Sequence, residues 1–288
     1  MGEPFTRFIG VDLGGGKGKK TALAVLERGR EGVTVTRLSP RPKEAPLYDA
    51  ALVSTLLALR EKAVLCIDAP LTLPPCLRCT EPACPGQAAC VDWEVVSMRE
   101  LASREPRDGR DHRRGKPVVT PYTQRATDLY LRSRGVLARE TMGQAMGPVA
   151  ARAAHLVRAL GPGFRLNDNL IEVYPRATLE LLGFREPYKK RIDRRIEILA
   201  SLRELSFGPG VWREECRQSD HVFDAVLGAY TGYLRARDGW SISTLAGDPV
   251  NPQGWIWVPP PSSPPPDLRE PRPGPRPPGA EAPRRSCP

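Results

Sequence analysis

Four acids stand where chemistry could use them. Asp12 ends the apolar run Phe8-Ile9-Gly10-Val11, Asp68 ends Ala63-Val64-Leu65-Cys66-Ile67, and Glu172 ends Asn169-Leu170-Ile171. Asp224 lies inside the amphipathic run Asp220-His221-Val222-Phe223-Asp224-Ala225-Val226-Leu227. A charge at the exit of a buried strand is costly without a partner. Three such exits from neighbouring parallel strands would set three carboxylates on one rim, where like charges repel and a divalent cation is the usual remedy. Hard oxygen ligands select Mg²⁺ or Mn²⁺, and pairs of such ions run phosphodiester hydrolysis. Asp220, His221 and Asp224 share one helical face. Asp220 also suits a helix cap, whereas Asp224 sits among residues that read as buried.

A second constellation is Cys76-x2-Cys79-x4-Cys84-x5-Cys90, four of the seven cysteines. Met1-Gly2-Glu3-Pro4-Phe5 does not read as a secretory signal. The expectation is therefore a cytoplasmic protein whose clustered thiols hold a metal centre rather than disulfides. The short, irregular spacing suits a [4Fe–4S] cluster or Zn²⁺, in either case folding a loop that has little core of its own. Cys66, inside an apolar run, reads as core.

The elements that position these groups follow from periodicity. Strands are predicted at 6–13, 21–26, 33–38, 63–68 and 169–174, with a short final one at 255–258. Helices are predicted at 50–61, from Pro148 to Gly161, at 175–183, at 188–205 and at 220–237. The first three strands are joined as hairpins, while the fourth and fifth follow helical stretches and can lie parallel to the first. That order describes a ribonuclease H-like α/β fold, a mixed sheet flanked by helices, with Asp12, Asp68 and Glu172 on one edge. Residues 70–147 read as a long irregular insertion carrying the cysteines. The predicted domain is 1–258, and the Pro-rich stretch 259–288 reads as a disordered tail.

At 288 residues and 40% hydrophobic, the chain can bury one large domain. No apolar run approaches the ~20 residues of a membrane span, so no membrane is expected. The net charge of +10 favours a polyanionic partner. The excess is concentrated in Arg99, Arg104, Arg107, Arg110, Arg113, Arg114 and Lys116, and again in Lys189, Lys190, Arg191, Arg194 and Arg195. The plain reading is a solvated loop and a solvated helix face. The functional reading makes Arg110, Arg113, Arg114 and Lys116 nucleic-acid contacts, because an acidic site repels a polyanion unless cations flank it. Lys17 and Lys19, on the glycine turn after Asp12, either neutralise a phosphate or decorate a solvated hairpin tip.

Several segments together resemble the domain-of-unknown-function family 429, predicted nucleases of the ribonuclease H fold. They are Ile9-Gly10-Val11-Asp12, Ile67-Asp68-Ala69-Pro70-Leu71, Glu172-Val173-Tyr174-Pro175-Arg176-Ala177-Thr178-Leu179 with Leu182-Gly183, Tyr188-Lys189-Lys190, and Asp220-His221-Val222-Phe223-Asp224-Ala225. The closing helix is also similar to that of Holliday-junction resolvases, which place acids one turn apart there. The family often carries a second acid where this chain has His221. The resemblance implies hydrolysis of DNA or RNA with Mg²⁺ or Mn²⁺ held by Asp12, Asp68, Glu172 and Asp224, assisted by Asp220 or His221.

Two rivals share part of this signature. An actin-like or sugar-kinase-like phosphotransferase also opens with strand, Asp and glycine turn, but no second phosphate hairpin follows. Nor is the turn a P-loop, since Lys20 stands where Ser or Thr is required. A non-catalytic nucleic-acid-binding protein would keep the acids as structural pairs.

Overall fold

The fold is described from a computed structural model covering residues 5–16, 20–40, 44–104, 119–210, 212–241 and 254–260. Lys17, Lys19, Arg110, Arg113, Arg114 and Lys116 lie outside the described residues, as does the Pro-rich stretch from 261 onward.

The chain is an α/β protein built on one mixed seven-stranded sheet. Strand β1 (Arg7–Asp12) pairs antiparallel with β2 (Ala22–Arg28), which pairs antiparallel with β3 (Val33–Ser39). On its other side β1 pairs parallel with β4 (Ala63–Asp68), β4 with β5 (Leu170–Val173), and β5 with β7 (Ile256–Trp257). Strand β6 (Leu205–Phe207) adds parallel to β3, giving the order β6-β3-β2-β1-β4-β5-β7. These pairings match those expected of the first five strands; β6 was not foreseen. It begins at Leu205, the last residue of the stretch read as helix 188–205, where the helix covers only Ile192–Ser201.

Period-2 alternation splits β1 and β4 between two cores. Phe8, Val64 and Cys66 face one cluster; Ile9, Val11, Leu65 and Ile67 face the other. The second core is closed by α1 (Asp49–Ala58) through Leu52 and Leu56, and by α5 (Gly147–Leu160) through Ala153, Leu156 and Leu160. The first is closed mainly by α9 (Asp220–Asp238), with α6 (Pro175–Leu181), α7 (Ile192–Ser201) and α8 (Trp212–Gln218) beside it.

Helix α9 lies close against the sheet because Gly10 has no side chain. A Cβ there would overlap the Ala225 carbonyl and the Ala229 amide nitrogen. Ser219, not Asp220, caps this helix: its hydroxyl accepts from the Val222 amide at 3.3 Å.

The stretch 70–147 is less irregular than its sequence indicates. It holds α2 (Pro75–Arg78), α3 (Trp93–Arg104) and α4 (Ala126–Ser133), with Met98, Ala102, Val119, Ala126 and Leu129 forming a small core of their own. No helix among the described residues is long and apolar enough to cross a membrane.

Candidate active site

Parallel register sets Asp12 directly opposite Asp68 at the carboxyl ends of β1 and β4. Both share strand parity with Phe8, Val64 and Cys66, so both project on the α9 side of the sheet. Asp224, one turn into α9 and only 2% exposed, completes the group. The three carboxylates line one cleft of about 440 Å³ together with Tyr174, Tyr188, Lys189, Arg139 and Arg176.

Each acid has a different environment. Asp12 Oδ2 lies 2.7 Å from His221 Nδ1, and this hydrogen bond is the main reason the His221 imidazole is held above its ordinary pKa. Asp224 accepts from the Tyr188 hydroxyl at 2.6 Å and pairs with Lys189 Nζ at 3.2 Å. Burial nevertheless pushes its carboxyl up to about 6, with Asp12 adding to the rise and Lys189 opposing it. Asp68 receives no hydrogen bond among the described residues, and burial, then Asp12 and Asp224, drive its carboxyl well above the usual range. A carboxylate with two acidic neighbours and no donor among the described residues is a strongly perturbed group, of the kind that marks functional sites.

Glu172 lines the same cleft, as the sequence predicts, but reaches it from the other face of the sheet. It pairs with Ile67 in register, not with Asp68, so its side chain leaves the sheet on the other face. There it is already neutralised. Arg125, 1% exposed, donates from Nη1 and Nη2 to the two carboxylate oxygens at 2.7 Å each, and the Leu71 amide donates at 2.9 Å. Arg125 Nη2 also reaches Asp128 Oδ1 at 3.1 Å, and Thr141 donates to Asp128 Oδ2 at 2.9 Å. Burial opposes the Arg125 charge, but Asp128 and Glu172 more than offset it and keep the guanidinium protonated. Glu172 therefore lines the cleft as half of a buried ion pair, and not as a free ligand.

Arg125 was invisible in the sequence as one of many arginines; the only hint is its spacing of three from Asp128. Two further arginines also have positioning roles. Arg152 of α5 donates to Gly14 O at 2.5 Å and Thr21 Oγ1 at 2.6 Å, fixing the turn that follows Asp12. Arg195, expected on a solvated helix face, is buried and donates to the carbonyls of Tyr188 and Lys189 at 3.3 and 2.5 Å. Asp220 is half-buried at the first turn of α9, near His221.

The cysteine stretch is built differently. Cys76, Cys79 and Cys84 are exposed and Cys90 is half-buried, all as free thiols. They are neighbours: after burial, Cys84, Cys90 and Cys79 push the Cys76 thiol up. Arg99 of α3 fastens the loop by donating to the carbonyls of Gln87 and Cys90 at 2.6 and 2.9 Å. Among the described residues no three His, Cys, Asp or Glu side chains are gathered as a metal-ligand set, neither the four thiols nor Asp12, Asp68 and Asp224, so neither of the two expected metal sites is preformed.

A family model described as "Protein of unknown function (DUF429)" matches residues 10–249. The chain belongs to this family. Searches of curated proteins and of solved structures found no match. The DUF429 region contains every described residue of the cleft except Ile256, which lies beyond it on β7.

Proposed function

We propose that this DUF429 member is a metal-dependent nuclease of ribonuclease H-like architecture that hydrolyses phosphodiester bonds of DNA or RNA. The observation that carries the reading is the direct opposition of Asp12 and Asp68 on adjacent parallel strands, with Asp224 brought over them by α9. Strand order supports the architecture: an antiparallel β3-β2-β1 set continued by parallel β4, β5 and the short β7, with acids towards the carboxyl ends of β1, β4 and β5.

The donor chemistry, hard carboxylate oxygens, is that of an Mg²⁺ or Mn²⁺ site, and the side chains must draw together to form the ligand set, which is not preformed among the described residues. Asp12, Asp68 and Asp224 would hold the ion, and when bound it would acidify an attacking water and neutralise the leaving oxygen. His221 orients Asp12, and Tyr188 orients Asp224. The metal-ligand role expected of Glu172 is at odds with its pairing to Arg125, so the proposed ligands are reduced to Asp12, Asp68 and Asp224, with Asp220 and His221 beside them. Arg139 and Arg176 line the cleft and lower the repulsion that three acids impose on a polyanion. The thiol quartet has the donors for Zn²⁺ or an iron–sulfur cluster, and its proposed role is to order the exposed loop.

The test is cleavage of labelled single-stranded, duplex and branched DNA and RNA by the full chain with Mg²⁺ or Mn²⁺. The expected result is activity that chelation abolishes and that Asp12→Asn reduces at least a hundredfold with the fold intact. Absence of cleavage on every substrate, or cleavage indifferent to chelator, contradicts the proposal.

A further inference from the structure

We infer that the cleft receives one unpaired nucleotide, with Arg139 holding its phosphate, so that single-stranded nucleic acid is the preferred substrate class. The inference rests on the nucleic-acid reading above and not on its metal. Among the described residues four cations line the cleft, and three are already engaged. Arg125 is held by Glu172 and Asp128. Arg176 donates to Glu180 Oε1 at 2.5 Å and to the carbonyls of Glu186 and Arg185 at 3.0 and 2.7 Å. Lys189 pairs with Asp224 at 3.2 Å. Arg139 is exposed, and its side chain makes no hydrogen bond or ion pair among the described residues. A guanidinium with all its donors free is the planar fork that suits a phosphate.

The segment that presents Arg139 is fastened on both sides of it. Val136 is buried, and the Leu137 carbonyl accepts from the Tyr174 hydroxyl at 3.2 Å. Beyond Arg139, Glu140 Oε1 accepts from Gln124 Nε2 at 3.0 Å, and the Thr141 hydroxyl donates to Asp128 at 2.9 Å. The Met142 amide donates to the Thr123 carbonyl at 3.1 Å. The main chain is thus held while the side chain stays uncommitted. Burial and then Asp68 raise the pKa of the Tyr174 hydroxyl, and the Arg139 charge opposes the rise. Tyr174 therefore lies within electrostatic reach of both the acids and the free guanidinium.

Charge does not describe the whole cleft. Leu13, Pro70, Met146, Val149 and Tyr174 give it apolar wall. Its volume of about 440 Å³ falls within the ~300–1,000 Å³ of sites that enclose one small molecule. A phosphate has no use for apolar wall, whereas a base gains by packing against aromatic and aliphatic side chains. Bases in a duplex are stacked inside it, and one can enter a cavity of this size only by being extruded, at the cost of unpairing. A single strand meets no such cost.

Fluorescence anisotropy of labelled oligonucleotides of one sequence, single-stranded and duplex, DNA and RNA, with the full chain in EDTA at pH 6 tests this. At that pH the Asp224 carboxyl, with a pKa of about 6, is half protonated and the cluster repels a polyanion less. Wild type should bind the single strand at least tenfold more tightly than the duplex. Arg139→Gln should weaken single-strand binding at least fivefold and lower the slope of log affinity against log salt by about 0.7, the share of one phosphate. Arg139→Lys should keep the slope. Arg158→Gln, which removes an exposed arginine in the last turn of α5, should change affinity less than twofold. Single-strand binding that Arg139→Gln leaves unchanged, or weakens without altering the slope, overturns the inference and leaves the nucleic-acid reading standing. Duplex bound as tightly as single strand does the same. No binding of any nucleic acid by wild type removes the reading and the inference together.

Discussion

Two acidic clusters meet at the carboxyl edge of this sheet, one on each face, and they solve the same problem in opposite ways. Glu172 and Asp128 are buried with one guanidinium, Arg125, that satisfies both through paired hydrogen bonds. Asp12, Asp68 and Asp224 have a half-buried histidine, the Tyr188 hydroxyl and an exposed lysine for partners, and Asp68 accepts no hydrogen bond among the described residues. Balanced ionic clusters are structural: their charges are fully engaged and have nothing left to bind. Unbalanced ones store unfavourable energy that a ligand can relieve, which is why strongly shifted carboxylates mark functional sites. The two faces are one residue apart in strand register, so parity alone decides which kind of cluster an acid joins.

The largest effect should come from breaking the balanced side. Arg125→Ala leaves Glu172 and Asp128 buried without their cation, and loss of one partner from a buried pair costs about 3–5 kcal/mol. Urea unfolding at pH 7 should show a loss of that order. A loss under ~1 kcal/mol would mean that the cluster is wetter and looser than the geometry indicates, and the contrast between faces would fail.

Neutralising the unbalanced side should do the reverse. Asp68→Asn removes one of three repelling charges without changing shape, and is expected to stabilise the metal-free protein by ~0.5–2 kcal/mol, the usual range for relieving a functional compromise. The same measurement on Glu172→Gln should show destabilisation, because Arg125 loses a partner. If both substitutions move stability in the same direction, the two clusters are not different in kind.

The smallest effect is a slope. Asp224 has a folded-state pKa of about 6 against an ordinary 3.8, raised by burial first. A raised folded pKa means that the folded state holds the proton more tightly, so the associated stability is complete below 3.8 and lost as pH rises through about 6. Asp68, raised well above its ordinary value, extends the loss upward. Melting temperature of chelated wild type should therefore fall across this window relative to Asp224→Asn, and Mn²⁺, which binds only ionised carboxylates, should offset the fall. Parallel pH profiles for the two proteins would remove the shift assigned to Asp224.

The sequence made one face of this comparison legible and hid the other. Asp12 and Asp68 each follow an apolar run that alternates between two cores, and Asp224 stands out because an acid amid Val222, Phe223, Val226 and Leu227 lacks a structural excuse. Glu172 carries the same strand-end signature, and Leu170, Ile171 and Val173 are all buried. Strands β1, β4 and β5 are all apolar on both faces and offer no alternation from which to read parity; the register that pairs Glu172 with Ile67 is a contact between distant segments. Arg125 reaches Glu172 across 47 positions, a contact that local periodicity does not encode. Strand β6 was missed because three residues after a helix carry too little pattern, and α2, α3 and α4 because prolines, cysteines and arginines obscure their short apolar faces.

The most direct test of the unbalanced cluster is a Mn²⁺ titration of wild type beside Asp68→Asn, followed by calorimetry at pH 7.5. Asp68 is the acid that accepts no hydrogen bond among the described residues, so the proposed cation site depends on it most. Wild type should bind Mn²⁺, and Asp68→Asn should weaken that binding at least tenfold while remaining as stable or more stable without metal. Equal affinity in both proteins, or no binding in wild type, would contradict the assignment of Asp12, Asp68 and Asp224 as a divalent-cation site.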